Sequence, residues 1–388
     1  MTAVDHIGSG VPAHSPADFT LPPEAAELIR EAVPENTSRA YQSRWRSFET
    51  WCEEQGRVPL PATAQTIAAY LTHLAVTKNL KATTANAHLT AIRTAHRASG
   101  QALPDGLSAR KIIAAAQRRE ASRDGRYGPR KSVPVLAADL PAIAAACDPQ
   151  TPAGRRDRAV VLLGFALLAR RSELASLNIS DIEHVPGEGL AVTIRVSKTD
   201  QSARGVIRRV HYGARAEACP VRVVLAWLEY LDGRGMTSGP LFTRIDRWGN
   251  IGAGAGGRYR SAEARDARLR PQAVGDIIAA ACSRAGLPAQ GERRYSGHSV
   301  RRGGATSMLR NGADPLNVSR HGRWADGSAE FAGYVEEASG FGDANPTNGL
   351  LLIAGSAKVR VEEVEDRVHA RLHRHHVALQ DRDVALQG

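Results

Sequence analysis

Two short arginine-bearing stretches stand out for the chemistry they could support. Arg170 closes an apolar run and precedes Arg171-Ser172-Glu173-Leu174, where Glu173 can hold a guanidinium in place. Arg301 follows His298 by three residues in Gly297-His298-Ser299-Val300-Arg301, so the pair shares a face if the piece is helical. A guanidinium offers a planar fork to two phosphate oxygens and keeps its charge. Breaking a phosphodiester without a metal needs such cations around the non-bridging oxygens, an oxygen nucleophile, and an acid for the leaving alkoxide. Singly, each stretch is weak. An arginine at a helix end is more often a surface cap or ion pair, and a lone histidine there is more often structural.

The whole chain favours a polyanionic partner. Its 388 residues carry a formal net charge of +11, and each cation that neutralises a phosphate releases a condensed counterion. The longest apolar run, 159–169, is too short for the roughly 20 residues that span a bilayer, so no membrane contact is expected. No basic-then-apolar leader precedes the first helical signals, which points to the cytoplasm and, in a bacterium, the nucleoid. Cys52, Cys147, Cys219 and Cys282 are far apart and form no CxxC pair, so neither a zinc site nor a disulfide framework is expected. No metal or cofactor is called for.

The elements that must position these residues fall into two domains. Residues 1–34 read as a flexible leader, rich at first in Gly, Pro, Ser and Ala. Residues 35–118 read as a helical bundle. Tyr41, Trp45, Phe48 and Cys52 recur at helical spacing after the potential caps Asn36, Thr37 and Ser38. A second helix follows Pro61, with Ile67, Tyr70, Leu71 and Leu74 on one face. A third covers 83–98 and a fourth about 108–118. Arg39, Arg44, His88 and Arg93 lie off the apolar stripes and are candidate DNA contacts. Residues 119–133 read as a basic linker. Arg118, Arg119, Arg130 and Lys131 in and beside it are further candidates, although such a run is usually a solvated connection.

Residues 134–350 read as a second, mainly helical domain with one small antiparallel sheet. Leu190, Val192, Ile194 and Val196 alternate with smaller or polar residues, and 206–211 reads as the partner strand. Lys198 then sits on the hairpin turn 198–204. Helices are expected at 157–169, 172–177, 221–231, 271–285 and 300–310, with shorter ones at 314–319 and 328–336. Residues 253–268 read as a Gly/Arg-rich loop insertion and 351–388 as a tail. Residues 350–353 form an apolar patch that either packs on its own domain or docks on a neighbouring protomer.

In chain order the sequence holds Arg170 with Glu173, Lys198 in Ser197-Lys198-Thr199-Asp200, His298-x-x-Arg301, Trp324 in Gly322-Arg323-Trp324, and Tyr334 in Gly333-Tyr334-Val335. This order resembles the signature of the tyrosine recombinase, or phage integrase, family. The likeness is closest to the simple two-domain recombinases related to Cre, and covers roughly residues 35–350. The helical half adds to it through the pattern of Ala40, Tyr41 and Trp45, which is similar to the SAM-like core-binding domain.

The resemblance implies a site-specific recombinase acting on double-stranded DNA. Tyr334 would attack the scissile phosphate and leave a 3′-phosphotyrosine, without metal or ATP. Arg170 and Arg301 would bind the non-bridging oxygens and His298 would help draw off the phenolic proton. Lys198 would protonate the leaving 5′-oxygen, Trp324 would donate its indole N–H, and Glu173 would stand behind the arginines. The family works as tetramers on two duplexes, here expected at short inverted-repeat sites. Arg171 rivals Arg170, His321 rivals Trp324, and Tyr295 is the serious rival to Tyr334. A type IB topoisomerase-like nicking-closing enzyme and a catalytically inactive DNA-binding relative are the competing readings.

Overall fold

In a computed structural model of the chain, the residues described are 20–31, 35–124, 131–195, 205–252, 267–289 and 293–340. They divide into two compact units, 1–129 and 130–388.

Among its described residues, the first unit holds helices joined by loops and no strand. The helices are α1 (Pro23–Glu31), α2 (Glu35–Glu54), α3 (Ala64–Thr72), α4 (Ala82–Ala98) and α5 (Leu107–Asp124), and α2 to α5 pack around Phe48, Cys52, Ile67, Tyr70, Leu71, Leu89 and Ile92. Of the stripes read from the sequence, Phe48, Cys52, Ile67, Tyr70, Leu71 and Leu74 are buried, while Tyr41 and Trp45 are half-buried. Each fully buried Leu, Ile or Phe contributes roughly 1.5–3 kcal/mol relative to exposure. Thr63 caps α3 by accepting a hydrogen bond from the Thr66 amide at 3.1 Å.

Two boundaries differ from the sequence reading. Helix α1 lies inside the stretch expected to be a flexible leader, because Pro23 is well suited to a first helical position and Ala, Glu and Leu follow it. Helix α5 runs six residues beyond the expected end, through the start of the supposed linker. Arg118, Arg119 and Glu120 are good helix formers, and no Gly or Pro interrupts them before Gly125.

Among its described residues, the second unit is mainly helical with one three-stranded antiparallel sheet. Its helices are α6 (Leu140–Ala145), α7 (Pro152–Ala166), α8 (Arg171–Ser176), α9 (Pro220–Asp232), α10 (Pro271–Arg284), α11 (Ser299–Arg310), α12 (Pro315–Gly322) and α13 (Ala329–Ser339). Val160, Leu163, Val224, Trp227, Phe242, Ile278 and Val300 belong to its main core. The sheet order is β1 (Ile182–Val185), β2 (Gly189–Ile194), β3 (Val206–His211), with Leu190 opposite Val210 and Val192 opposite Arg208. The hairpin expected from the alternation is β2–β3. Strand β1 was not expected. It is four residues long, and its cue is the Pro186-Gly187 turn that returns the chain into β2.

A smaller apolar cluster completes this unit. Leu168, Ala305, Val318, Trp324, Phe331 and Tyr334 pack together where α11, α12 and α13 meet the end of α7. Helix α11 can approach closely because it carries glycines. A Cβ on Gly303 would stand 1.7 Å from the Val135 carbonyl oxygen, and one on Gly304 would stand 2.7 Å from that of Phe165.

Candidate active site

The site grows from a sharp turn after α7. Leu168 adopts a positive φ of 49°, which turns the chain out of the helix and aims its carbonyl at α11. Arg170 therefore does not end an apolar helix as its sequence context implied. It stands just before α8 in extended backbone (φ −76°, ψ 150°). Glu173 closes this turn with both oxygens, accepting the Arg170 amide at 2.8 Å and the Arg170 Nη1 at 2.7 Å.

Glu173 is 2 % exposed and also takes Arg323 Nη2 at 2.7 Å. Burial alone would raise its pKa, but the charge and hydrogen bond of Arg323, together with the hydrogen bonds of Arg170, hold it below the ordinary carboxylate value. Arg323 was not singled out from the sequence. It ends α12 in the left-handed region (φ 59°, ψ 44°), a place more usual for Gly or Asn. Its guanidinium also reaches the carbonyls of His321 and Leu167, and its own carbonyl accepts Arg170 Nη2 at 3.2 Å.

Arg301 projects from the first turn of α11 and is 1 % exposed. Its Nη1 donates to the Leu168 carbonyl, and its Cζ lies 3.8 Å from the centre of the Trp324 ring. Burial and then the neighbouring Arg170 charge push its pKa down to about 9, which still leaves a cation at neutral pH. Two buried donors here have no protein acceptor, Arg301 Nη2 and Trp324 Nε1. Each such orphan costs roughly 1–3 kcal/mol, so a native structure keeps one for a reason.

Tyr334 lies on α13, 3 % exposed, with its ring edge-on to Trp324 at 5.7 Å. Its hydroxyl donates to Glu330 Oε1 at 2.7 Å, and the same oxygen meets His298 Nε2 at 3.0 Å. Burial first, and Glu330 second, raise the phenol's pKa further above its ordinary value. Glu330 is held down at about 2, first by its hydrogen bond with His298 and then, against the opposing effect of burial, by that of Tyr334. Arg302, one residue past Arg301, fastens α13 in place. It pairs with Glu337 on that helix and donates to the Ser132 carbonyl.

The second unit thus brings Arg170, Glu173, His298, Arg301, Trp324 and Tyr334 together. Lys198 lies in 196–204, outside the described residues, as do Arg130, the patch at 350–353 and nearly all of the 253–268 insertion. The rivals point elsewhere. Arg171 is exposed and donates to Gln272 at 2.9 Å, while His321 Nε2 is engaged with the Ala166 carbonyl at 2.8 Å. Tyr295 packs against the main core.

The candidate DNA contacts are dispersed. Arg39, Arg118, Arg119 and Lys131 are exposed, whereas Arg44 and Arg93 are half-buried. His88 was expected to face out, yet its Nδ1 meets the Tyr70 hydroxyl at 3.0 Å, and burial, then Arg44, lower its pKa. It is therefore a poor cation for a phosphate. Glu330, Arg323 and Arg302 are the residues the sequence reading missed. Only Glu330 carried a local signal, its i,i+4 spacing from Tyr334 behind the helix cap Ser328.

A buried tyrosine hydroxyl among converging guanidiniums, on a helical scaffold with one small sheet, defines a protein built to receive an oxyanion ester. Residues 135–339 match the Phage integrase family, and residues 26–99 match its N-terminal SAM-like domain. The chain belongs to the phage integrase family, the tyrosine-type site-specific recombinases. It is 30 % identical over 320 residues to the integrase/recombinase xerD homolog of Selenomonas ruminantium, covering 82 % of this chain and 87 % of that one. It is 24 % identical over 299 residues to the recombinase cre of Escherichia phage P1, covering 76 % and 83 %. Among solved structures, a lambda integrase (75–356) dimer bound to a COC′ core site aligns at 17 % identity with a TM-score of 0.49, over 80 % of this chain and 92 % of that one. Among the described residues, no helix is long and apolar enough to cross a membrane.

Proposed function

We propose that the protein cuts and rejoins double-stranded DNA through a covalent bond between Tyr334 and a 3′-phosphate, with neither metal nor ATP. The observation that carries this reading is the pair of buried donors without protein acceptors, Arg301 Nη2 and Trp324 Nε1, beside the Tyr334 ring. A non-bridging phosphate oxygen is an acceptor suited to both, and side chains covering them shift as it enters. Arg170, with 16 % of its side chain exposed, meets the phosphate from the solvent side. Arg170 and Arg301 then hold the charge that is redistributed in the pentacoordinate transition state.

Glu173 fixes the forks of Arg170 and Arg323, and His298 takes part in drawing off the phenolic proton. Lys198 supplies the proton to the leaving 5′-oxygen. The phosphotyrosyl bond retains the energy of the broken link, so religation to a partner strand needs no nucleotide. As in the rest of the family, the working form is a tetramer on two duplexes, with short inverted repeats as the favoured sites.

The test is a nicked suicide duplex carrying candidate sites from the gene's own neighbourhood. Wild-type protein is expected to form a covalent 3′ adduct that Tyr334→Phe does not form. An adduct that persists in Tyr334→Phe removes Tyr334 as the nucleophile.

A further inference from the structure

Tyr334 and His298 do not meet directly; Glu330 Oε1 lies between them. It accepts the Tyr334 hydroxyl at 2.7 Å, and His298 Nε2 stands 3.0 Å from it. Glu330 sits one helical turn before Tyr334, so both side chains lie on one face of α13. It is also in the first turn of that helix, where the dipole favours a carboxylate. Half of its side chain is exposed, so burial does not force the contact.

The direction of these hydrogen bonds matters. An ionised carboxylate only accepts, so His298 Nε2 must carry the hydrogen that points at Glu330. That nitrogen is then a donor, with no lone pair free for the Tyr334 proton. Among the described residues, the acceptor of the Tyr334 hydroxyl is Glu330. A general base must lie within hydrogen-bond reach of the proton it removes, and Glu330 meets that condition.

Resting on the phosphotyrosyl reading above, we propose that Glu330 is the proton acceptor for Tyr334, and that His298 positions it. Before attack the proton stays on the phenol, because the carboxylate is far less basic than a phenolate. As the Tyr334 Oη–P bond forms, Oη becomes an aryl ester oxygen and loses its affinity for the proton, which passes to Glu330 Oε1. The P–O5′ bond breaks in the same displacement, and its electron pair leaves with O5′. That oxygen takes a proton from a separate donor, Lys198 in the reading above. Religation runs the steps in reverse, and Glu330 returns the proton to Tyr334. The carboxylate is tolerated beside a phosphate because the Arg301 charge acts on it, with Arg170 beside Arg301 and Arg302 close to Tyr334.

The experiment measures single-turnover cleavage of the nicked suicide duplex at saturating protein. Glu330→Gln keeps the shape and an acceptor oxygen but cannot take the proton. It is expected to lower the rate by about 10²–10⁴, with DNA affinity and Tm unchanged, and Glu330→Asp is expected to recover part of the loss. A duplex with sulfur at the bridging 5′ position has a leaving group that needs no acid. It is expected to rescue Lys198→Ala and to leave Glu330→Gln slow. Cleavage by Glu330→Gln at the wild-type rate, or its rescue by the sulfur substrate, overturns the proposal. Neither result touches the phosphotyrosyl reading, which fails separately if Tyr334→Phe still forms the adduct.

Discussion

Arg301 is a cation held where water scarcely reaches it, and two contacts and one unpartnered donor define its role. One nitrogen is tied to the Leu168 carbonyl, the plane lies over Trp324, and the other terminal nitrogen has no protein acceptor. Lysine carries the same charge at a point and cannot make the fork and the stack together. Arg301→Lys is therefore expected to lower single-turnover cleavage by about 10²–10³, the usual cost of one lost transition-state donor. Gel-shift affinity for DNA should change little. Glu173 supports a second prediction at this scale. Its pKa falls on folding, so it adds stability above its unfolded value near about 4.3 and loses it as pH drops toward the folded value. Glu173→Gln should unfold more easily at pH 7, by roughly 3–5 kcal/mol for a broken buried pair. Its stability should also fall less steeply than the wild type's as pH drops below about 4.3, in urea titrations across that range. Arg170 and the His298–Arg301 pair stood out in the sequence by residue type and spacing, whereas Trp324 and Tyr334 stood out only through the resemblance to the ordered recombinase signature. Glu330 was not, since a glutamate in a first helical turn has an ordinary explanation, and only the fold shows what its oxygen touches.

At the scale of elements, the site depends on how helices end. The chain turns away just after α7 at Leu168 with a positive φ, and just after α12 at Arg323 with another. The alternation and apolar stripes that reveal helices do not reveal such endings, because a non-glycine residue in the left-handed region carries no sequence mark. That is why Arg170 read as closing the apolar run of the helix expected at 157–169, although it caps the next one. It is also why Arg323, between two motif residues, passed unnoticed. The bundle in the first unit was legible because its buried faces are continuous. Its α5 was read too short because arginines that look like a linker are also good helix formers. Arg323 allows the conformational cost to be separated from the ion pair. Arg323→Ala and Arg323→Gly both remove the guanidinium from Glu173, yet only glycine adopts the left-handed region without strain. Both variants should be destabilised, and the alanine variant by about 1 kcal/mol more, as read from urea denaturation midpoints. Equal midpoints would mean that the backbone relaxes at this position.

For the whole molecule, charge decides how it meets DNA before any chemistry begins. The net charge of +11 is a sum and does not say which cations face phosphate. Of the candidates, His88 is bonded to Tyr70 and is a poor cation, while Arg118 and Arg119 are exposed on α5 and Lys131 is exposed where the second unit begins. Together with Arg130 they bracket the passage from one compact unit to the next. If these four contact phosphates, each releases counterions, and the slope of log K against log salt carries about 0.9 per contact. Replacing all four by glutamine should lessen that slope by up to about 3.6 and weaken binding to specific and unrelated duplexes alike, since backbone contacts carry no sequence information. Cleavage of an already saturated suicide substrate should remain near the wild-type rate in the variant that replaces Arg118 and Arg119 alone, since Lys131 Nζ lies beside Gly333, the neighbour of Tyr334. A slope unchanged from wild type would mean that the stretch is solvated, and that the charge acting on DNA lies elsewhere on the two units.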